Sequence, residues 1–210
     1  PYFTATASNI GYGWWSHDIG GHQRGEKDDE LSTRWLQYGV FSPIMRLHST
    51  MSIFNGKEPW RYSVESEQVM KKYLRLRHQL VPYIYTMNAR NHFDGLPLVS
   101  PMYYEHPEEE LAYAVPNQYY FGTELMVTPI VEPMNPKLHV AATTAWLPEG
   151  EWFDFFTGHR YTGGKQMRLF RKLDDQGVLA KAGAIIPLGQ HLEHSNALHN
   201  PEHLELLVFP

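Results

Sequence analysis

The sequence predicts an α/β segment of alternating strands and helices, followed by an all-β part built as an antiparallel β-sandwich. In the first 94 residues, short apolar runs alternate with helical patterns, which is typical of parallel α/β architecture. After Gly95 long helical patterns disappear, and prolines and glycine turns separate short apolar runs. The chain therefore divides into two structurally different parts.

Composition and charge exclude several classes of protein. The 210 residues are 42% hydrophobic and 20% charged, and they fit one or two globular domains. The sequence contains no run of 18 apolar residues, and the net charge is -5. We therefore expect no membrane and no nucleic acid as partner. The absence of cysteine excludes disulfides and thiolate metal sites, and it is compatible with the cytoplasm, the location we expect.

Aromatic residues make up 14% of the chain, including six Trp and thirteen Tyr. Sugars stack their C–H faces on such rings, so this composition suits a carbohydrate partner. Most of these rings are nevertheless expected inside a β-rich core.

The α/β part is predicted to hold two strands and two helices. The apolar residues 10–16 and 42–48 are expected to be strands. The acidic run at 28–30 suits the beginning of a helix that ends near Gly39. A second helix is expected over residues 63–91, with a kink near Pro82.

The second part is predicted to form short strands, for example over residues 124–128 and 151–156, with one short helix over 108–113. Residues 204–210 read as the opening strand of a further element. We therefore expect a domain boundary at 94/95, a β-sandwich over 95–190, and a linker with the start of a distal β domain over 191–210. Two βα units cannot close a (β/α)8 barrel, which needs about 250 residues.

The densest polar cluster follows the first predicted strand. It holds Asp18, the glycines at 20 and 21, and His22. Ligands bind at the carboxyl ends of parallel strands, so these residues are candidates for a site. The alternative is structural: Asp18 caps or pairs locally, and the glycines only turn the chain.

Arg46 and His48 form a second cluster at the end of the next predicted strand. Residues two apart on a strand point to the same face, so both side chains are expected on one side. An arginine there requires an anion, and Asp18 is the nearest candidate for a buried salt bridge. His48 would then be available to donate to a ligand hydroxyl.

A metal site built from His17, Asp18, His22 and His48 is the alternative to this interpretation. The chain has no HExxH spacing, and adjacent strand residues such as His17 and Asp18 point to opposite faces. Phosphate-binding glycine loops and the GxSxG serine motif are also absent from the sequence. We therefore predict no metal ligand and no cofactor.

Several ordered motifs together resemble family 31 of the glycoside hydrolases, which comprises α-glucosidases, α-xylosidases and their relatives. The resemblance covers about residues 1 to 190. The motifs are WSHDIGGH at 15–22, FSPIMRLH at 41–48, KEPW at 57–60, RHQLVPYIYT at 77–86, GLPLV at 95–99, FGTELMVTP at 121–129, LPEGEWFD at 147–154 and AGAIIP at 182–187.

The resemblance implies a retaining α-glycosidase in which residues 1–94 are the last two βα units of a (β/α)8 TIM barrel. Asp18 and His48 match positions that bind hydroxyls of the sugar at the cleavage site, and Arg46 matches the arginine beside that histidine. His22 stands where an aromatic residue, usually Phe, is more common. Trp15 opens the same motif, and the resemblance implies that it belongs to the substrate-binding residues.

Retaining hydrolysis needs a nucleophilic carboxylate and an acid/base carboxyl roughly 5–5.5 Å apart. In the family both come from earlier barrel strands, and neither motif occurs in this sequence. We therefore expect no catalytic residue here, a parent enzyme that supplies the remainder of the barrel, and no activity of the 210 residues alone. The absence of a starting methionine before Pro1 favours the same interpretation.

Two alternatives remain at this point. The first is an α-xylosidase or α-galactosidase of the same family, since the residues that separate these substrates lie elsewhere in the barrel. The second is a non-catalytic carbohydrate-binding β-sandwich module. Exposed rings at Trp146, Trp152 and Phe153 would favour the module.

Overall fold

The computed structural model describes residues 1–21, 26–49, 53–190 and 200–210. The helices are α1 (Tyr2–Thr6), α2 (Asp29–Val40), α3 (Val64–Gln79), α4 (Val81–Asp94) and α5 (Glu110–Ala114). The strands are β1 (Ser16–Ile19), β2 (Ile44–Leu47), β3 (Val99–Pro101), β4 (Tyr119–Phe121), β5 (Leu125–Thr128), β6 (Ala141–Leu147), β7 (Glu151–Asp154), β8 (Arg160–Thr162), β9 (Lys165–Arg171), β10 (Gly177–Lys181), β11 (Ile185–Gly189) and β12 (Leu204–Val208). Within these ranges, no helix is both long and apolar enough to cross a membrane.

The first part of the chain contains a parallel strand pair with a helix between its strands. β1 pairs with β2, and α2 connects them. This confirms the predicted strand–helix–strand order, and β2 lies inside the predicted range 42–48. The parallel pairing places the carboxyl ends of both strands at one edge.

The first strand lies further along the chain than predicted, so the expectation of a strand over 10–16 was wrong. Residues Ala7–Ile10 form a short 3-10 helix, and Gly11 ends it with φ 71° while its N–H donates to the carbonyls of Ala7 and Ser8. A glycine in this left-handed conformation is a common helix terminator, and here it outweighs the apolar pattern. The strand then begins only at Ser16.

Helix α2 begins where the sequence predicts. The carboxylate of Asp28 accepts a hydrogen bond from the Leu31 N–H at 2.8 Å, which satisfies one of the first free amides of the helix. Its end differs, because the helix passes through Gly39 to Val40. A Cβ at Gly39 would lie 2.2 Å from Cδ1 of Ile19, so this glycine permits close packing of α2 against β1 and is not the cap.

The long helical pattern over 63–91 forms two helices that meet at Leu80. The Ser63 hydroxyl caps α3 by accepting the Ser66 N–H, and α4 carries Pro82 in its first turn. The sequence predicted a kink near Pro82 within one helix, and the structure has a break between two helices at this point. Proline is tolerated in a first turn because its missing N–H would have no helical partner there.

The second part consists of antiparallel sheets. One sheet has six strands in the order β3-β4-β5-β10-β7-β8, and two further pairs are β6 with β9 and β11 with β12. The predicted strands over 124–128 and 151–156 correspond to β5 and β7, and the short predicted helix corresponds to α5. Residues Leu204–Val208 form a strand, as expected, and it pairs with β11 of this part, whereas the sequence predicted the opening strand of a further element.

Two hydrophobic cores hold these elements together. The smaller one lies entirely in the second part and includes Met126, Trp146 and Leu179. The larger one contains buried residues from both parts, for example Tyr73 of α3 and Phe121 of β4. The α/β segment and the antiparallel sheets therefore share one continuous core.

Candidate functional site

Asp18 and Arg46 form an ion pair at the carboxyl ends of β1 and β2. They are register partners across the parallel pair. The Arg46 Nε donates to Asp18 Oδ1 at 2.7 Å, and Nη2 lies 2.6 Å from the same oxygen. The predicted pairing is therefore present. The prediction of a buried salt bridge was wrong, because the Arg46 and Asp18 side chains are 58% and 40% exposed.

The other predicted residues lie around this pair in different environments. His48 follows β2, and its main-chain N–H donates to the Ile19 carbonyl at 3.2 Å. This bond extends the β1–β2 hydrogen bonding by one residue beyond Asp18. Trp15 is only 5% exposed and belongs to the larger core, so its side chain supports β1 and does not present an open ring. His22 lies outside the described residues.

The chain bends sharply at the end of β1. Gly20 and Gly21 both have positive φ, 95° and 75°, which only glycine adopts without strain. A Cβ at Gly20 would lie 2.8 Å from Cδ of Lys57, and one at Gly21 would lie 3.7 Å from the ring of Trp35. Gly20 thus lets Lys57 approach the backbone beside Asp18, whereas a Cβ at Gly21 would make only an ordinary contact with Trp35.

Lys57 was not singled out as a site residue, although it opens the KEPW motif. Nothing local in the sequence connects position 57 with position 20, so this proximity required the fold. Its aliphatic chain packs over the glycine turn, which places a cation near the strand end that carries Asp18.

A cleft of about 580 Å³ lies beside α2 and is lined by Leu31, Arg34 and Trp35 together with the segment Pro129–Pro133. Asp18, Arg46, His48 and Trp15 do not line it. The ion pair instead occupies an open strand edge. The residues described here therefore supply part of a binding surface and do not enclose a ligand.

The chemistry available at this edge is hydrogen bonding with polar hydroxyl groups. The Asp18 carboxylate can accept from hydroxyls, and a guanidinium that holds it keeps its oxygens oriented. Within β1 and β2, Asp18 is the single carboxylate. The geometry therefore fits binding of a polar ligand and contains no pair of carboxyl groups for acid/base work.

Comparison with known families assigns both parts of the chain. Residues 3–87 match the glycosyl hydrolases family 31 TIM-barrel domain, and residues 95–186 match the glycosyl hydrolase family 31 C-terminal domain. The chain belongs to glycosyl hydrolase family 31. The resemblance inferred from the ordered motifs is thereby confirmed.

Curated family 31 relatives include enzymes with two different substrate names. The chain is 33% identical over 172 residues to alpha-glucosidase 2 of Bacillus thermoamyloliquefaciens, covering 82% of this chain and 21% of that protein. It is 32% identical over 206 residues to an alpha-xylosidase of Saccharolobus solfataricus, covering 95% of this chain and 27% of that protein.

Solved family 31 structures superpose closely on the chain. A Flavobacterium johnsoniae dextranase complexed with isomaltotriose is 30% identical, with a TM-score of 0.86 over 99% of this chain and 25% of that one. The cycloalternan-forming enzyme of Listeria monocytogenes, in complex with a pentasaccharide substrate, is 30% identical, with a TM-score of 0.89 over 99% and 20% of the two chains. The chain thus spans about a fifth to a quarter of the length of these relatives.

Proposed function

We propose that the chain is a section of a retaining α-glycosidase that hydrolyses α-linked glucosides. The single observation that carries this proposal is the Asp18–Arg46 ion pair at the carboxyl ends of two parallel strands in a family 31 chain. Relatives named as alpha-glucosidases match most of the chain, which supports glucosides as the substrate class.

In this proposal residues 1–94 are the last two βα units of the catalytic barrel, and β1 and β2 are its seventh and eighth strands. Residues 95–190 form the proximal β-sandwich, and 191–210 lead into a distal β domain. The remaining strands, supplied by residues outside this chain, would cover the exposed edge at Asp18 and carry the nucleophile and the acid/base.

Asp18 and His48 bind hydroxyls of the sugar at the cleavage site, and Arg46 holds the Asp18 carboxylate in position. His22 and Trp15 belong to the same substrate-binding segment, Trp15 by supporting β1 from the core. These hydrogen bonds tighten as the oxocarbenium-like transition state forms, so they act mainly on kcat/KM. No cofactor is required for this double displacement.

The second enzymatic candidate is an α-xylosidase, which the 32% identical relative over 95% of the chain favours. A non-catalytic binding module centred on the antiparallel sheets loses its main support. Trp146, Trp152 and Phe153 are 4%, 5% and 8% exposed, so these three rings are not available to stack on a sugar.

The test compares the 210-residue chain with a longer polypeptide that contains it together with the segments carrying both carboxylates. We expect the isolated chain to release no aryl leaving group from an α-glucoside, and the longer polypeptide to release it with retained anomeric configuration. In the latter, Asp18→Asn and His48→Ala should each lower kcat/KM by roughly one to two decades, since each removes a hydrogen bond involving a charged or polar partner.

Glu151→Gln is the matched control for Asp18→Asn. This substitution neutralises an exposed carboxylate that pairs with Arg160 and lies in the second part of the chain, so kcat/KM should stay unchanged. Unchanged kinetics in the Asp18→Asn variant would refute the assigned role. Turnover by the isolated chain, in proportion to its concentration, would refute the proposal that the nucleophile and the acid/base lie outside these 210 residues.

A further inference from the structure

Four consecutive main-chain carbonyls between α2 and β2 are held by two side chains from distant elements. The Arg77 guanidinium of α3 donates to the carbonyls of Val40 at 2.7 Å, Ser42 at 2.5 Å and Pro43 at 2.8 Å. The Tyr119 hydroxyl of β4 donates to the remaining carbonyl, that of Phe41, at 2.8 Å.

These carbonyls are the ones that most need partners. The last carbonyls of a helix have no amide within the helix to bind, and α2 ends at Val40. The following residues Phe41 and Ser42 are fully buried, so water does not reach them readily. Arg77 and Tyr119 therefore satisfy groups that would otherwise be left unpaired in the interior.

The same segment determines where β2 begins. Pro43 directly precedes Ile44, whose N–H donates to the Trp15 carbonyl at 3.1 Å and starts the pairing with β1. From Ile44 the strand runs only two residues to Arg46. Because side chains alternate along a strand, a slip of one residue would turn Arg46 away from Asp18.

We propose that Arg77 and Tyr119 are positioning residues for the sugar-binding edge. By fixing the carbonyls of residues 40–43, they hold β2 in the register that brings Arg46 beside Asp18 and places His48 one step beyond. The link to sugar binding rests on the proposed function. The positioning of β2 does not depend on that function, because it rests on hydrogen bonds within the chain. Through them Tyr119, in the antiparallel sheet, holds the segment before β2 in the α/β part.

Tyr119→Phe is the decisive variant, and Tyr83→Phe is its matched control. Both tyrosines are buried, at 0% and 1% exposed, and each donates its hydroxyl to one carbonyl. The Tyr83 hydroxyl donates to the Phe121 carbonyl at 2.7 Å and accepts the Glu124 N–H at 3.1 Å, so neither hydrogen bond involves residues 40–43. Loss of the Tyr83 hydroxyl therefore serves as the control for general destabilisation.

The first measurement is amide hydrogen exchange on the 210-residue chain. In Tyr119→Phe we expect the Ile44 and His48 amides to exchange about tenfold faster, while in Tyr83→Phe the Glu124 amide accelerates and those two stay unchanged. Arg77→Lys should have the same effect as Tyr119→Phe, since one ammonium cannot reach three carbonyls in a fork geometry. If an Arg77 variant fails to fold, the comparison of Tyr119→Phe with Tyr83→Phe still tests the positioning role.

The second measurement is the kinetics of the longer polypeptide. Tyr119→Phe should lower kcat/KM severalfold more than Tyr83→Phe, when both variants are assayed at a temperature where they are fully folded. Equal exchange at Ile44 and His48 in the two tyrosine variants would overturn the positioning role. If these amides respond while Asp18→Asn leaves the kinetics unchanged, the positioning stands and the proposed function fails.

Discussion

Asp154 and Arg171 form a buried ion pair that joins two antiparallel sheets. The Arg171 Nη2 lies 2.5 Å from Asp154 Oδ2, and the two side chains are 10% and 4% exposed. Asp154 ends β7 of the six-stranded sheet, and Arg171 ends β9 of the neighbouring pair. The other carboxylate oxygen accepts the N–H groups of Phe156 and Thr157, so the charge is fully partnered.

Asp154→Ala should lower the free energy of unfolding by about 3–5 kcal/mol, because Arg171 would keep a buried charge without its partner. Urea unfolding measures this. Glu151→Ala is the control, since it breaks the exposed pair with Arg160 and should cost at most about 1 kcal/mol. Similar losses in the two variants would contradict the importance of burial.

Phe41→Ala should cost about 3–5 kcal/mol of unfolding free energy. Its ring is fully buried and makes edge-to-face contacts with Phe121 at 5.7 Å and Phe155 at 6.4 Å between centroids. The comparison is Phe93→Ala, which removes a ring that is 79% exposed and should change stability by less than about 0.5 kcal/mol. A loss below 1 kcal/mol in Phe41→Ala would argue against a core shared by both parts of the chain.

Gly39→Ala should destabilise the chain although alanine is the better helix former. The added Cβ would lie 2.2 Å from Ile19 Cδ1, and overpacking costs about 1–3 kcal/mol against roughly 1 kcal/mol of helix propensity. Removing that methyl with Ile19→Val should restore stability in the Gly39→Ala background while lowering it in the unchanged chain. Additive effects in this double-mutant cycle would exclude the clash.

Stability should fall as the pH rises above 10. Burial raises the pKa of five phenols above the ordinary value of 10, those of Tyr38, Tyr73, Tyr83, Tyr119 and Tyr120. The unfolded chain then loses these protons while the folded chain keeps them. The stability present below pH 10 is therefore lost at about 1.4 kcal/mol per pH unit for each tyrosine.

Arg77 and Arg34 act in the opposite direction, because burial lowers the pKa of both guanidinium groups, that of Arg77 to about 10. These two groups offset at most about two of the five tyrosines, so the net slope of stability against pH stays negative. Urea midpoints between about pH 8 and pH 11, followed with tyrosinate absorbance, measure it. Tyr83→Phe should reduce the slope by one group, and a stability that rises over this range would contradict the sign.

Local chemistry made part of the fold predictable. The start of α2 follows from the Asp28 side chain, and the break between α3 and α4 follows from Pro82, since each effect acts within one helical turn. The first strand was misplaced because a single glycine, Gly11, ended a helix inside an apolar run. That outcome depends on backbone conformation more than on hydrophobicity.

The candidate site was predictable to the same extent. The Asp18–Arg46 pair follows from strand periodicity and from the need of an arginine for an anion. The exposure of this pair cannot be predicted in the same way, because burial depends on what covers the strand ends. Lys57 beside Gly20, and Tyr119 bonded to Phe41, are contacts between residues 37 and 78 positions apart, which no local pattern encodes.

The shared core bears on how family 31 sequences can be recombined. A chimera with its crossover at Gly95 would join α4 of one parent to β4 of another, and the packing of Tyr83 on Phe121 and the bond from Tyr119 to Phe41 would then come from mismatched sequences. The boundary between the two family domains is therefore a poor place to exchange modules. Parents that differ at these positions need compensating changes on both sides of the junction.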